Sequence, residues 1–137
     1  MLRPAILTGL LAITGPASAE QATFKDWWVA CDNLRVCTAY GFPPDEGGGL
    51  VLRVRREAGA SALPELDLSL DAERGKGLEG PLSLSVRGEI VARTGDPDGD
   101  QGDFRTWILS ATAAGPLLAA IADGDTLKLT AGSRDVG

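Results

Sequence analysis

The strongest constraint on this chain is a period of two. In LPELDLSLD, Leu66, Leu68 and Leu70 alternate with Asp67 and Ser69. In GPLSLSVRGEIVAR, Leu82, Leu84 and Val86 keep the same rhythm, Arg87-Gly88 marks a tight turn, and Glu89 to Arg93 return. LVLRVRRE sets Leu50, Leu52 and Val54 against Val51, Arg53 and Arg55, and TLKLTAG alternates Leu127, Leu129 and Ala131. Successive strand residues face opposite sides of a sheet, so each segment reads as a strand with one apolar and one wet face. DFRTWILS is a further strand. One segment breaks the rhythm: in ATAAGPLLAAIADGD, Pro116 suits a first helical position, LLAAIA propagates a helix, and Gly124 caps it. The expected fold is mostly β (β-rich α+β): an antiparallel sheet or sandwich of about seven strands, with one short helix before the last.

The N-terminus addresses the compartment. MLRPAILTGLLAITGPASAE has one basic residue, Arg3, then an uncharged apolar run and a small-residue Ala17-Ser18-Ala19 site. This reads as a signal peptide over residues 1–19, with Glu20 the first mature residue. The apolar run of about 12 residues is short of the ~20 that span a bilayer. No later segment is long and apolar enough to do so, so a periplasmic or secreted location is expected, with no transmembrane segment after cleavage. Residues 20–137 are then enough for a single domain.

The compartment interprets the only two cysteines, in FKDWWVACDNLRVCTAY. Structural zinc takes four Cys, His or carboxylate ligands, and the chain has two Cys and no His. Catalytic redox pairs usually show a Cys-x-x-Cys spacing, whereas five residues separate Cys31 from Cys37. Export favours a structural disulfide. Trp27 to Ala30 reads as a strand, Asp32-Asn33 as a turn, and Val36 to Tyr40 as the returning strand, which sets the cysteines in opposed hairpin positions. Closing so short a loop stabilises by roughly 2 kcal/mol. Trp27 and Trp28 must face opposite sides of their strand: one enters the core, and the other is a partner-contact residue unless a loop or helix covers it.

On Asp26, Trp27, Cys31, Asp32, Asn33, Arg35 and Cys37, the stretch resembles the opening of a family of exported proteobacterial proteins, domain of unknown function 1176. A broader similarity is to the invasion-associated locus B proteins, which also carry an early Trp and Cys before a run of strands. The resemblance implies an envelope or secreted location and no particular reaction. Members of the family continue with further strands, which implies that this chain is an N-terminal part, truncated at its C-terminus.

Two stretches imitate binding motifs. GKGLEG, residues 75–80, is a literal G-x-G-x-x-G, but a strand pattern follows where a dinucleotide site needs a helix, so it reads as an inter-strand loop. GDPDGDQGD places Asp96, Asp98 and Asp100 at the first, third and fifth positions of a calcium loop, with Asp103 a further carboxylate. Gln101 stands where the loop needs Gly, and Trp107 where it needs Glu. A solvated acidic turn is the expectation, and calcium the alternative, with no other cofactor.

The chemistry available is limited. Without His there is no Ser-His-Asp or Cys-His nucleophile system, and no G-x-S-x-G occurs. Thirteen basic and 19 acidic residues give a net charge of −6, with no polybasic run to neutralise phosphates, which argues against nucleic acid. The densest basic cluster, Arg53, Arg55 and Arg56, reads as the wet face of a strand. The expected function is a non-catalytic binding or envelope-accessory module whose partner is a basic protein or an envelope component. The alternative is a carboxylate-based hydrolase of envelope glycans, which needs two carboxylates in a cleft.

Overall fold

The computed structural model describes residues 20–24, 26–43, 49–122 and 126–136. The signal peptide expected over residues 1–19, the helix cap expected at Gly124, and most of the Gly41–Gly49 loop lie outside these residues.

Two antiparallel sheets face each other across one core. The larger has seven strands: β1 (Glu20–Phe24), β2 (Trp27–Cys31), β3 (Cys37–Gly41), β4 (Leu50–Arg56), β5 (Glu65–Asp71), β8 (Asp100–Gln101) and β9 (Phe104–Leu109), in the order β1-β2-β3-β4-β5-β9-β8. The smaller sheet contains β6 (Ser83–Val86), β7 (Glu89–Arg93), β10 (Leu127–Ala131) and β11 (Arg134–Asp135), in the order β11-β10-β6-β7. Among the described residues the strands thus number eleven rather than about seven. The additions β1, β8 and β11 are too short or too polar to show an apolar period.

The alternation sorts the faces as expected. Leu66, Leu68 and Leu70 on β5, Leu50 and Leu52 on β4, and Trp107 and Leu109 on β9 are buried. Facing them are Leu84, Ala92 and Leu129 of the smaller sheet. Trp107 is fully buried at the centre, and its indole N–H donates to the Gly80 carbonyl at 3.0 Å, satisfying the one polar atom the ring carries inside. Thr94 closes the edge beside it: its hydroxyl accepts from the Leu82 amide at 2.8 Å and donates to the Gly95 carbonyl at 2.7 Å. The Arg87-Gly88 turn has φ of 53° and 83°, the doubly left-handed pair that a two-residue hairpin requires. A bulge between Leu84 and Ser85 then re-phases β7 so that Ala92 enters the core and Ile90 is exposed.

The helix α1 spans Ala111–Ala122 and packs on β7, β5 and β6 through buried Ala114 and Leu117. It begins at Ala111, a full turn ahead of the expected start at Pro116. The Ser110 carbonyl accepts from the Ala113 and Ala114 amides, and the Ser110 and Thr112 hydroxyls lie 3.0 Å apart, so the first turn forms ahead of the proline. Pro116 is exposed within the helix. The alanines around it are strong helix formers, and burial of Leu117 and Ala114 outweighs the missing hydrogen bond.

Candidate functional site

The hairpin β2–β3 is built from its turn outward. Asp32 Oδ1 accepts from the amides of Leu34 at 2.8 Å and Val36 at 2.9 Å, and Arg35 takes the left-handed φ of 64° that closes the loop. Cys31 pairs directly with Cys37, and their sulfurs form the disulfide, with 4.0 Å between Cα atoms. The same register places Trp27 opposite Gly41 and Trp28 opposite Tyr40.

The two tryptophans part as the alternation requires. Trp27 is half-buried and packs against the core. Gly41 makes room for it: a Cβ there would lie 2.9 Å from the Trp27 ring. Trp28 points the other way, is 37% exposed, and stacks on Tyr40 with ring centroids 5.5 Å apart at an angle of 34°.

Register continues this row across the outer face of the larger sheet. Tyr40 pairs with Arg53, Arg53 with Asp67, and Asp67 with Ile108. One row of side chains therefore reads Trp28, Tyr40, Arg53, Asp67, Ile108 over five adjacent strands, about 19 Å at the usual strand spacing. Arg53 Nε donates to Asp67 Oδ2 at 2.7 Å. That hydrogen bond, opposed by partial burial and assisted by the Asp67 charge, holds the Arg53 guanidinium above its usual pKa. The raised pKa keeps the Arg53 guanidinium charged across the physiological range, and the guanidinium's share of the pair is lost only as pH rises into strong alkali. In the neighbouring row Arg55 pairs with Glu65 at 3.0 Å, and it also meets Glu57 at 3.5 Å. Arg53 and Arg55 thus lie on the wet face as expected, whereas Arg56 is on the opposite face and donates to the Ala62 and Gly59 carbonyls.

This outer face is where apolar surface collects. Seven large hydrophobic side chains are exposed among the described residues. Three of them, Trp28, Phe104 and Ile108, stand on it, and Phe42 follows directly at the end of β3. Alternation singled out Trp27 and Trp28. It did not single out Tyr40 or Ile108, whose part in the face depends on register across strands distant in sequence.

A groove of about 540 Å³ opens at the end of β1 to β4, with the disulfide on its lining beside Glu20, Asp32, Arg35, Arg56 and Glu57. Two of its three carboxylates are already engaged, Asp32 in the turn and Glu57 with Arg55.

Of the carboxylates weighed for calcium, Asp96, Asp98 and Asp103 are exposed, and the side chain of Asp100 lies outside the described residues. The Asp98 amide donates to the Thr106 carbonyl at 2.8 Å, tying the loop to β9. Among the described residues no three metal-ligating side chains cluster. GKGLEG runs as turns and coil between β5 and β6, with no helix after it.

No curated protein and no solved structure matches the chain. Residues 21–137 match the family model described as "Protein of unknown function (DUF1176)", and the match runs far beyond the cysteine hairpin. The chain belongs to that family.

Proposed function

We propose that this member of the DUF1176 family is an exported, envelope-facing module that acts by contact rather than by catalysis, through the outer face of its larger sheet. One observation carries the reading: an exposed Trp28, its ring tilted against Tyr40, shares one sheet face with exposed Ile108 and Phe104. Exposed aromatic and branched apolar side chains gathered on one face are the signature of an interaction surface. The export half of the proposal rests on the N-terminal charge, apolar run and small-residue site. The non-catalytic half rests on the lack of His and on both thiols being bonded to each other.

The charges on this face are paired, Arg53 with Asp67 and Arg55 with Glu65. Asp71, opposite Phe104, is a further carboxylate on it, and most of the acidic excess of the chain lies off the face. A basic partner is steered to the rest of the surface, with an association rate that falls as salt rises.

Both halves are tested in one experiment. The full chain is expressed in a Gram-negative host with a photo-crosslinking residue at position 28, and in a second strain at position 87 on the exposed β6–β7 turn. The expected result is periplasmic protein beginning at Glu20, with discrete adducts from position 28 and none from position 87. Cytoplasmic retention of the uncleaved chain would refute export, and the absence of adducts at position 28 would refute the contact surface.

A further inference from the structure

Across β3, β4, β5 and β9 the outer face reads Tyr40, Arg53, Asp67, Ile108: ring, cation, anion, aliphatic. The next row repeats the two charges, with Arg55 on β4 opposite Glu65 on β5. Reversed from left to right, the order becomes aliphatic, anion, cation, ring. Each member of the reversed row is the physical complement of the member it would meet in the original. A two-fold axis produces this reversal when it lies between two facing sheets and runs parallel to the strands, between β4 and β5. Arg53 of each copy then stands over Asp67 of the other, Arg55 over Glu65, and Tyr40 over Ile108, with Trp28 at the rim. An axis perpendicular to the strands would keep each strand over its own copy and offers no such exchange of signs.

We propose that this face is a self-association surface, and that two copies of the chain pack through it as an isologous dimer about that axis. The proposal rests on the reading of the face as a contact surface and names its partner. Charge supports a second copy over another occupant. The two central rows carry their own paired cations and anions, which leaves Asp71 beside Phe104 as the further carboxylate of the face, so the face offers little net charge to attract an acidic or a basic protein, while those two rows match their own two-fold image charge for charge. Aligned packing of twisted sheets is an ordinary way for two such faces to meet. Size fits a weak contact: the five strands, of five to seven residues each, cover roughly 475 Å² per copy at the usual rise and spacing. The total, about 950 Å², is just under the ~1,000 Å² of a stable specific interface, which places the dimer among the weak, concentration-dependent ones. The dimer leaves the disulfide groove, on the opposite side of the sheet, outside the interface.

Charge reversal with complementation tests this. Oxidised residues 20–137, the variants Arg53→Asp and Asp67→Arg, and the off-face control Leu34→Asp are examined by sedimentation equilibrium from about 5 µM to 1 mM. Circular dichroism confirms that each is folded. The unaltered chain and Leu34→Asp are expected to dimerise. Each charge variant alone sets like charges over one another and is expected to lose at least tenfold in association. In an equimolar mixture of the two, the carboxylate introduced at position 53 of one chain faces the guanidinium introduced at position 67 of the other. The unaltered Asp67 and Arg53 of those same two chains also face each other. The mixture is therefore expected to recover a heterodimer, identified by isotope-labelling one partner. A chain that is monomeric at 1 mM overturns the proposal, as does a dimer that survives both reversals, or a mixture that fails to recover association. Should either charge variant fail to fold, Ile108→Asp replaces the pair, and an unchanged dimer then overturns the proposal. In the crosslinking experiment, adducts at position 28 of a mass other than two copies, with monomers in the centrifuge, overturn the dimer and leave the contact surface standing. No adducts at all remove both.

Discussion

At the scale of single residues, the decisive positions are those where one side chain takes space another must leave free. Gly41 is one. Its φ is not in the left-handed region, so its need is spatial: the Trp27 ring occupies the volume of a side chain there. Gly41→Ala is therefore expected to lower stability by about 1–3 kcal/mol, the usual cost of overpacking, and to change Trp27 emission. Urea denaturation followed by fluorescence measures both, and unchanged stability would show that the indole can move aside. Trp27 and Trp28 were distinguishable in sequence only as a pair on opposite faces. Which one entered the core was set by the register of β2 on β3, which puts Trp27 opposite Gly41, where the missing side chain leaves room for the indole. Trp107 is the opposite case. In sequence it stood where a calcium loop needs a glutamate, and in the fold it is the centre of the core, anchored to Gly80.

At the scale of elements, the cysteine hairpin was fully legible. Opposed cysteines, a turn with Asp at its start, and flanking β-formers all agree with one another, and the structure pairs Cys31 with Cys37. The double variant Cys31→Ser, Cys37→Ser is expected to lose about 2 kcal/mol through the regained freedom of the unfolded chain. Guanidinium midpoints measured with and without reductant on the unaltered chain, set beside the variant, check this. A reductant-insensitive midpoint would show that the hairpin is held by pairing alone. The helix was legible in kind but not in extent. Proline usually marks a helix start because its missing N–H costs nothing there. In α1 the alanine-rich turn before Pro116, together with the burial of Ala114 and Leu117, carries the helix through it. The short strands β1, β8 and β11 were not legible, because edge pairings of two to five mostly polar residues leave no apolar period.

At the scale of the whole molecule, the two sheets and the helix share one leucine-rich core around Trp107, with no second hydrophobic centre among the described residues. The expected consequence is a single cooperative transition. Far-ultraviolet dichroism, which reports the sheets, and the change in tryptophan emission as the core opens should give the same midpoint on heating. Separate midpoints would mean that the β1–β3 end, which carries the disulfide, melts independently of the core.

What the sequence determined by itself was whatever depends on neighbours along the chain. It set the strand character of each alternating segment, the inward leucines, the turn at Arg87-Gly88 and the opposition of the two cysteines. These follow from local geometry, where a period of two or a left-handed turn position leaves few choices. Tertiary structure decided what depends on register between distant strands. Trp28 meets Tyr40 across a hairpin, but Tyr40 meets Arg53, Asp67 and Ile108 only because β3, β4, β5 and β9 lie side by side at one offset. A shift of one residue in any of these pairings would turn the opposite set of side chains outward. The outer face is therefore a property of strand order and register, held in place by the buried leucines on the other side of the same strands.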